Sequence, residues 1–350
     1  MRQGELSVLH FVLPFLLLFP CVSLARIQIA DGTEDVRDLF TSAEFVFHGR
    51  VVTIEPDGKN NDDSYSGVAQ LEVRRWYKGT PRQSTVRLRF AYDRHFGNGH
   101  SCIDLHRSAS WLIFAKQTET GLFEFSDDCY GGLPVSSILA STSHGSGIQQ
   151  MQDDLVAGLK DGDSAVRVEN IKRLGGLRLP SSHDALEDII EHGIEAESKW
   201  AIYAALRAGD LSVLPKVQGI VVNLSGYRVD PDSSIALELA HLRDPRAVPT
   251  LVAVLQSASM DFARGSAVQA LQAIKDPRSV PGLANRLSDP ESSIRYNALV
   301  AIGYITHEPR CTLPDDWHER DGEVDRRLAS CQQWWQTQGS ARKWSELKLP

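Results

Sequence analysis

The stretch Asp244-Pro245-Arg246-Ala247-Val248-Pro249-Thr250-Leu251 returns 32 positions later as Asp276-Pro277-Arg278-Ser279-Val280-Pro281-Gly282-Leu283. A chain that repeats at this interval is restricted to a few architectures, because each copy is one supersecondary unit that cannot bury its apolar face alone. One apolar slot runs through Leu174, Leu206, Leu239, Leu271 and Ile302, at spacings of 32, 33, 32 and 31. The neighbouring slot holds Leu177, Leu242, Ile274 and Ile305, and only Gly209 breaks it. From about residue 150 the expected architecture is an all-α solenoid of about five helix pairs.

In the last copy the first helix is expected over Val280–Leu287, the turn at Asp289-Pro290 and the second helix over Ile294–Ile305. Leu283 and Leu287 line one helix, and Ala298, Leu299, Ala301, Ile302 and Ile305 line the other, so stacking on a neighbour must complete the burial. Pro249 and Pro281 fall in first turns, where a missing N–H costs nothing. The third copy departs from the pattern, with Asn223–Asp232 making a longer loop. Arg167, Lys199, Arg264 and Arg295 share one slot at the start of the second helix, and Asp161 and Asp289 precede two of them by six residues. A ladder of Asp-to-Arg contacts between successive copies is expected. Lys172, Gln269, Asn297, Val300 and Tyr304 fall at solvent-facing positions of the second helices and form the candidate protein-binding surface.

Between Arg26 and about Leu139 the period is two. Thr85–Phe90 alternates strictly, Leu71 and Val73 alternate with charged neighbours, and Phe45–Val52 is rich in strand formers. Trp111–Ala115 is a continuous apolar run suited to a central strand, and Leu122–Phe125 returns after a turn. Short strands separated by polar turns indicate a small antiparallel barrel or sandwich. One helix is expected before them, over Thr33–Ala43.

The first apolar run, Val8–Val22, is shorter than the roughly 20 residues of a bilayer span and contains Pro14 and Pro20. With Arg2 before it and Ser23-Leu24-Ala25 after it, it is expected to be a secretory signal peptide over 1–25. An uncleaved anchor and a lipoprotein at Cys21 are the rival readings. The mature chain is expected from Arg26 in an extracytoplasmic location, periplasmic or secreted, without stable membrane insertion. Four cysteines then remain, Cys102, Cys129, Cys311 and Cys331, which allow three pairings. Local pairing, Cys102 with Cys129 and Cys311 with Cys331, is the economical one in an oxidising compartment. Zinc is the rival, but neither group has two cysteines two to four apart. The tail, 307–350, carries Trp317, Trp334, Trp335 and Trp344 and is expected to cap the solenoid, the alternative being an aromatic ligand pocket.

The order AEFVFHGRVV, LEVRRWYKG, TVRLRF, Cys102, SWLIFAK and DDC at Cys129 resembles the netrin-like module, the OB-type barrel also found in tissue inhibitors of metalloproteinases. Those inhibitors chelate zinc through an N-terminal cysteine, and here Arg26 has no cysteine near it, so inhibition by that route is not expected. LKDGDSAVRVENIKRLGGL and LSDPESSIRYNALVAIGYI resemble the HEAT-like repeats of the family that includes phycobilin lyases, over Asp154 to about Thr306. The expected fold is multidomain α+β: a small netrin-like β-barrel over 26–140, a HEAT-like solenoid over 150–306 and the disulfide-closed cap.

A net charge of −8 argues against a nucleic-acid partner. No phosphate loop, dinucleotide fingerprint, HExxH helix or GxSxG elbow is present. His95, His100, Cys102, Asp104 and His106 crowd together but are expected to form a solvated loop and strand edge rather than a metal site. HEAT-type deoxyhypusine hydroxylases hold two irons through His-Glu pairs in equivalent helices, whereas His307-Glu308 and His318-Glu319 lie at non-equivalent positions. Lyase activity is disfavoured in an exported chain. The expectation is an exported binding or assembly scaffold for a protein or peptide, with no catalytic activity, no cofactor and no metal. A secreted protease inhibitor and a metal-dependent hydroxylase or lyase-like enzyme are the alternatives.

Overall fold

A computed structural model describes residues 35–57, 64–79, 83–93, 103–105, 108–127, 131–142, 145, 147–228, 230–314 and 322–346. The expected signal peptide, Cys102, Cys129, His95, His100, His106, Trp317, His318 and Glu319 lie outside them.

Five strands close into a barrel: β1 (Phe45–Pro56), β2 (Ser64–Lys78), β3 (Thr85–Asp93), β4 (Ser110–Gln117) and β5 (Phe123–Phe125). β1 pairs antiparallel with both β2 and β4, β2 with β3, and β4 with β5. A parallel β3–β5 pairing completes the ring. Closure removes the exposed sheet edges that would otherwise pair with other chains. A sixth strand, β6 (Gly132–Pro134), continues along β4 beside β5. Its three residues carry no alternation, and the sequence reading missed it.

Period-two alternation sends Phe45, Phe47, Leu71, Val86, Leu88, Phe90, Trp111, Ile113 and Phe123 into the barrel interior. Phe47 and Trp76 rings lie 4.7 Å apart there, and Phe45 and Phe123 5.3 Å. The opposite faces of β1, β2 and β4, carrying Val46, Tyr77, Leu112 and Phe114, are also buried, in a second core shared with the helices. That double burial is why Trp111–Ala115 is apolar without a break. The helix α1 (Val36–Ser42), capped by the Asp35 carboxylate on the Arg37 and Asp38 amides, adds Val36 and Leu39 to the same core.

Five helix pairs follow: α2 (Ile148–Ala157) with α3 (Ser164–Leu177), α4 (His183–His192) with α5 (Glu195–Arg207), α6 (Leu214–Val222) with α7 (Pro231–Glu238), α8 (Val248–Ser257) with α9 (Asp261–Ile274), and α10 (Val280–Ala284) with α11 (Ser292–Thr306). Leu174, Leu206, Leu239, Leu271 and Ile302 are all buried, so the repeated slot is the spine of the stack. α10 ends at Ala284, short of the expected Leu287, which is nonetheless buried in the turn that follows. In the third pair the loop before α7 shortens that helix, and Leu239 reaches the spine from a 3-10 turn. Helices α3 and α5 approach closely at Gly175, where a Cβ would stand 2.7 Å from Ala204 Cα.

The tail forms α12 (Glu323–Trp334), tied to the end of the stack by a disulfide between Cys311 and Cys331. Trp334 and Trp344 are buried, with ring centroids 6.2 Å apart, and the Arg342 guanidinium lies 5.6 Å and 5.7 Å from the two rings. Trp334 and Trp344 belong to the core that runs through the array, and Trp335 packs against it.

Candidate functional site: the second-helix face and the barrel joint

The start of each second helix carries the repeated cation, and its contacts run forward to the next copy. Arg167 Nη2 meets Glu197 at 2.7 Å, Lys199 Nζ meets Asp232 at 2.9 Å, and Arg264 meets Asp289 twice at 3.0 Å. Arg295, at the end of the array, donates instead to the carbonyls of Asp289 and Pro290 at 2.8 Å and 3.0 Å. The expected partners need one correction. Arg167 takes the backbone carbonyl of Asp161 at 2.7 Å, while the Asp161 carboxylate accepts from Ser136 Oγ at 2.6 Å. Burial would push the Asp289 carboxyl up, but hydrogen bonds from Arg264, the Glu291 amide and Arg286 outweigh it and hold the group below the ordinary carboxylate range. Glu197 is held down in the same way by Arg167 and Ser164 against the cost of burial.

The candidate surface residues divide into two groups. On α9 and α11, Gln269 is exposed, Tyr304 is 44% exposed, and Asn297 and Val300 are half-buried. Lys275 Nζ lies 5.8 Å from the Tyr304 ring. On α3 the expectation fails: Lys172 is only 8% exposed. Its ammonium sits 4.2 Å from the Trp200 ring centroid and 3.5 Å from Glu169, so a charged residue at a nominally outward position is held by cation–π and ionic contacts. Residues 170–177 of α3 and 200–206 of α5 are buried throughout. Of the expected surface positions, those that remain accessible therefore lie on α9 and α11.

A second polar site, missed by the sequence reading, joins barrel to array. The Asp154 carboxylate of α2 accepts from Arg75 Nη1 at 2.6 Å, from the Ala140 amide at 2.8 Å and from Tyr77 OH at 2.7 Å. Arg75 Nη2 donates to the Ala140 carbonyl at 3.0 Å, and Lys78 Nζ to the carbonyls of Phe40 and Thr41 at 3.0 Å and 2.8 Å. Burial, the Asp154 charge and the hydrogen bond to it push the Tyr77 hydroxyl well above its ordinary pKa. His48, on the outer face of β1, bonds through Nε2 to the Ser136 carbonyl at 2.9 Å. His48, Tyr77, Ser136 and Asp154 line a cavity of about 10 Å³, roughly the room for one water. Nothing in local spacing could have found them, because Asp154 lies 77 positions from Tyr77.

No group of three His, Cys, Asp or Glu side chains able to hold a metal occurs among the described residues. Of His95, His100, Cys102, Asp104 and His106, only Asp104 is among the described residues. His307 caps α11 and is exposed, while Glu308 is paired with Arg310 at 2.7 Å. No described helix is long and apolar enough to cross a membrane.

Residues 231–303 match the family model of HEAT repeats. No curated protein matches the chain in sequence. Among solved structures, the chain is similar to the complex of CpcE and CpcF of phycocyanin lyase from Nostoc sp. PCC7120, with 21% identity and a TM-score of 0.35, over 51% of this chain and 71% of that chain. The expectation of a chain without catalytic activity is corrected by this neighbour, which bears the name of a lyase. At this TM-score the likeness carries no reaction over to the present residues either. The fold of the chain is a five-stranded barrel followed by a HEAT-like helical array, a multidomain α+β layout.

Proposed function

We propose that this chain is an interaction scaffold that holds a polypeptide partner on the second-helix face of its last two helix pairs. The carrying observation is the contrast along that face: Gln269 and Tyr304 are accessible, whereas the corresponding parts of α3 and α5 are buried. HEAT-type arrays present extended surfaces of this kind to partners. Gln269 and Asn297 supply donors and acceptors, and Tyr304 supplies an amphipathic ring suited to an interface centre. We further propose that the scaffold works outside the cytosol, a reading supported by the apolar leader over residues 1–25 and by the Cys311–Cys331 disulfide. The netrin-like assignment of the barrel belongs to the same proposal and rests on the strand motifs.

The test uses the full chain as bait in its native extract, beside Tyr304→Asp and Gln269→Lys variants with unchanged circular dichroism. A partner retained by the wild type and lost from both variants supports the reading. Identical retention by all three places recognition elsewhere and ends it. Fractionation with an epitope-tagged chain tests location, and recovery with cytosolic markers refutes export.

A further inference from the structure

His48 is 3% exposed and sits where barrel, loop and array meet. Its Nε2 is committed to the Ser136 carbonyl, which fixes the proton on that nitrogen in the neutral ring, since a carbonyl only accepts. Its Nδ1 is buried and has no hydrogen-bond partner. The ring lines the joint cavity with Tyr77 of β2, Asp154 of α2 and Asn170 of α3. Each of these is already committed: Tyr77 and Asp154 to one another, and Asn170 Nδ2 to the carbonyls of Val166 and Gly158 at 3.0 Å and 3.4 Å. A second ring proton would therefore enter a buried site beside Asp154, whose carboxylate is already bonded to Arg75, Tyr77 and the Ala140 amide.

We infer that the joint between barrel and array is proton-sensitive, with His48 as its titrating element: the two halves are locked when the ring is neutral and loosened when Nδ1 is protonated. The charged groups around the ring are Arg74 and Arg75 on β2, Asp154 on α2, and Asp161 behind Ser136; Tyr77 on β2 is a neutral hydroxyl, β4 contributes Leu112 and α3 contributes Asn170. Burial is the largest influence and disfavours the imidazolium. The Ser136 carbonyl and Asp154 pull the other way, and Arg74 and Arg75 reinforce burial, leaving the ring less basic than a free histidine. The sign follows. The unfolded or separated ring takes a proton more readily than the docked one, so the joint holds fully above about pH 6.5 and weakens as pH falls below it, until the docked ring itself protonates.

The test places donor and acceptor dyes on exposed positions of barrel and array, Arg89 and Asp184, by incorporated unnatural residues in the full chain. The urea midpoint for loss of energy transfer is read at pH 7.5 and pH 5.0. The wild type is expected to show the larger drop in midpoint, and His48→Gln, whose amide can still donate to the Ser136 carbonyl, the smaller one. Carboxylate effects are common to both chains and cancel in the comparison. Equal drops overturn the inference. Should His48→Gln show no transfer at pH 7.5, Arg74→Gln on the exposed strand face decides: removing that charge makes the ring more basic. By bringing the docked pKa closer to that of the separated ring, it is expected to shrink the drop in midpoint between pH 7.5 and pH 5.0 relative to the wild type. A drop as large as the wild type's overturns the inference.

Discussion

Arg264 and Asp289 face each other across the boundary between the fourth and fifth helix pairs, joined by two hydrogen bonds of 3.0 Å with both side chains buried. Arg286 reaches the same carboxylate at 3.2 Å. Removing one member of a buried pair leaves the other charge desolvated and unpaired, at a cost of about 3–5 kcal/mol. Asp289→Asn is expected to destabilise the array on that scale in urea titrations. Arg246→Ala, which removes the exposed partner of Asp244, is expected to leave the midpoint unchanged.

The carboxyls of Glu197, Asp276 and Asp289 are all held below their ordinary range despite burial, by bonds from Arg167, Arg278 and Arg264 respectively. A depressed folded-state pKa stabilises the fold at pH values above the unfolded value. That contribution is lost as pH falls below about 4 and on through the folded pKa. Urea midpoints are expected to be flat in this respect from pH 7 to 5 and to fall steeply from pH 4 to 3. Asp289→Asn is expected to flatten the acid limb, and an unaltered limb would count against the pairing.

The Cys311–Cys331 bond closes a loop with a sequence separation of 20 and ties α12 to the end of the stack. Cys331→Ser, or reduction, is expected to lower stability by about 3 kcal/mol in the chain-entropy picture. The loss should concentrate in the cap, so tryptophan fluorescence from Trp334 and Trp344 should change before the far-ultraviolet helix signal does. Simultaneous loss of both signals would show that the cap does not melt separately.

His307 ends α11 in the left-handed region, with φ of 52°. A side chain with a Cβ pays roughly 1 kcal/mol there relative to glycine, and the imidazole is exposed. His307→Gly is expected to raise stability by about 0.5–1 kcal/mol by thermal or urea denaturation. A decrease would assign the ring a stabilising contact.

The array was legible because a solenoid writes its period into the sequence: Leu174 to Ile302 marked the spine, and Arg167, Lys199 and Arg264 marked the ladder. The barrel was legible where only one face is apolar, as at Val86, Leu88 and Phe90. What escaped was set by distant packing. Lys172 occupies an outward helical slot, yet Trp200 of the next pair covers it. Arg75, Tyr77 and His48 are unremarkable strand residues until α2 supplies Asp154 and the loop after β6 supplies Ser136. Such meetings leave no local trace, because either partner alone satisfies its own strand or helix pattern.

The outer wall of the barrel, with Val46, Leu112, Phe114 and Leu133, belongs to the same apolar mass as the helices. Severing the chain between Pro134 and Gly147 would thus strip an oily flank from each fragment. Neither half should remain dispersed when made alone, and mixing the two should rescue both. For a cell making this protein, the first third of the polypeptide is a folding debtor until the helices arrive, so truncated products would be cleared rather than accumulate as working miniatures.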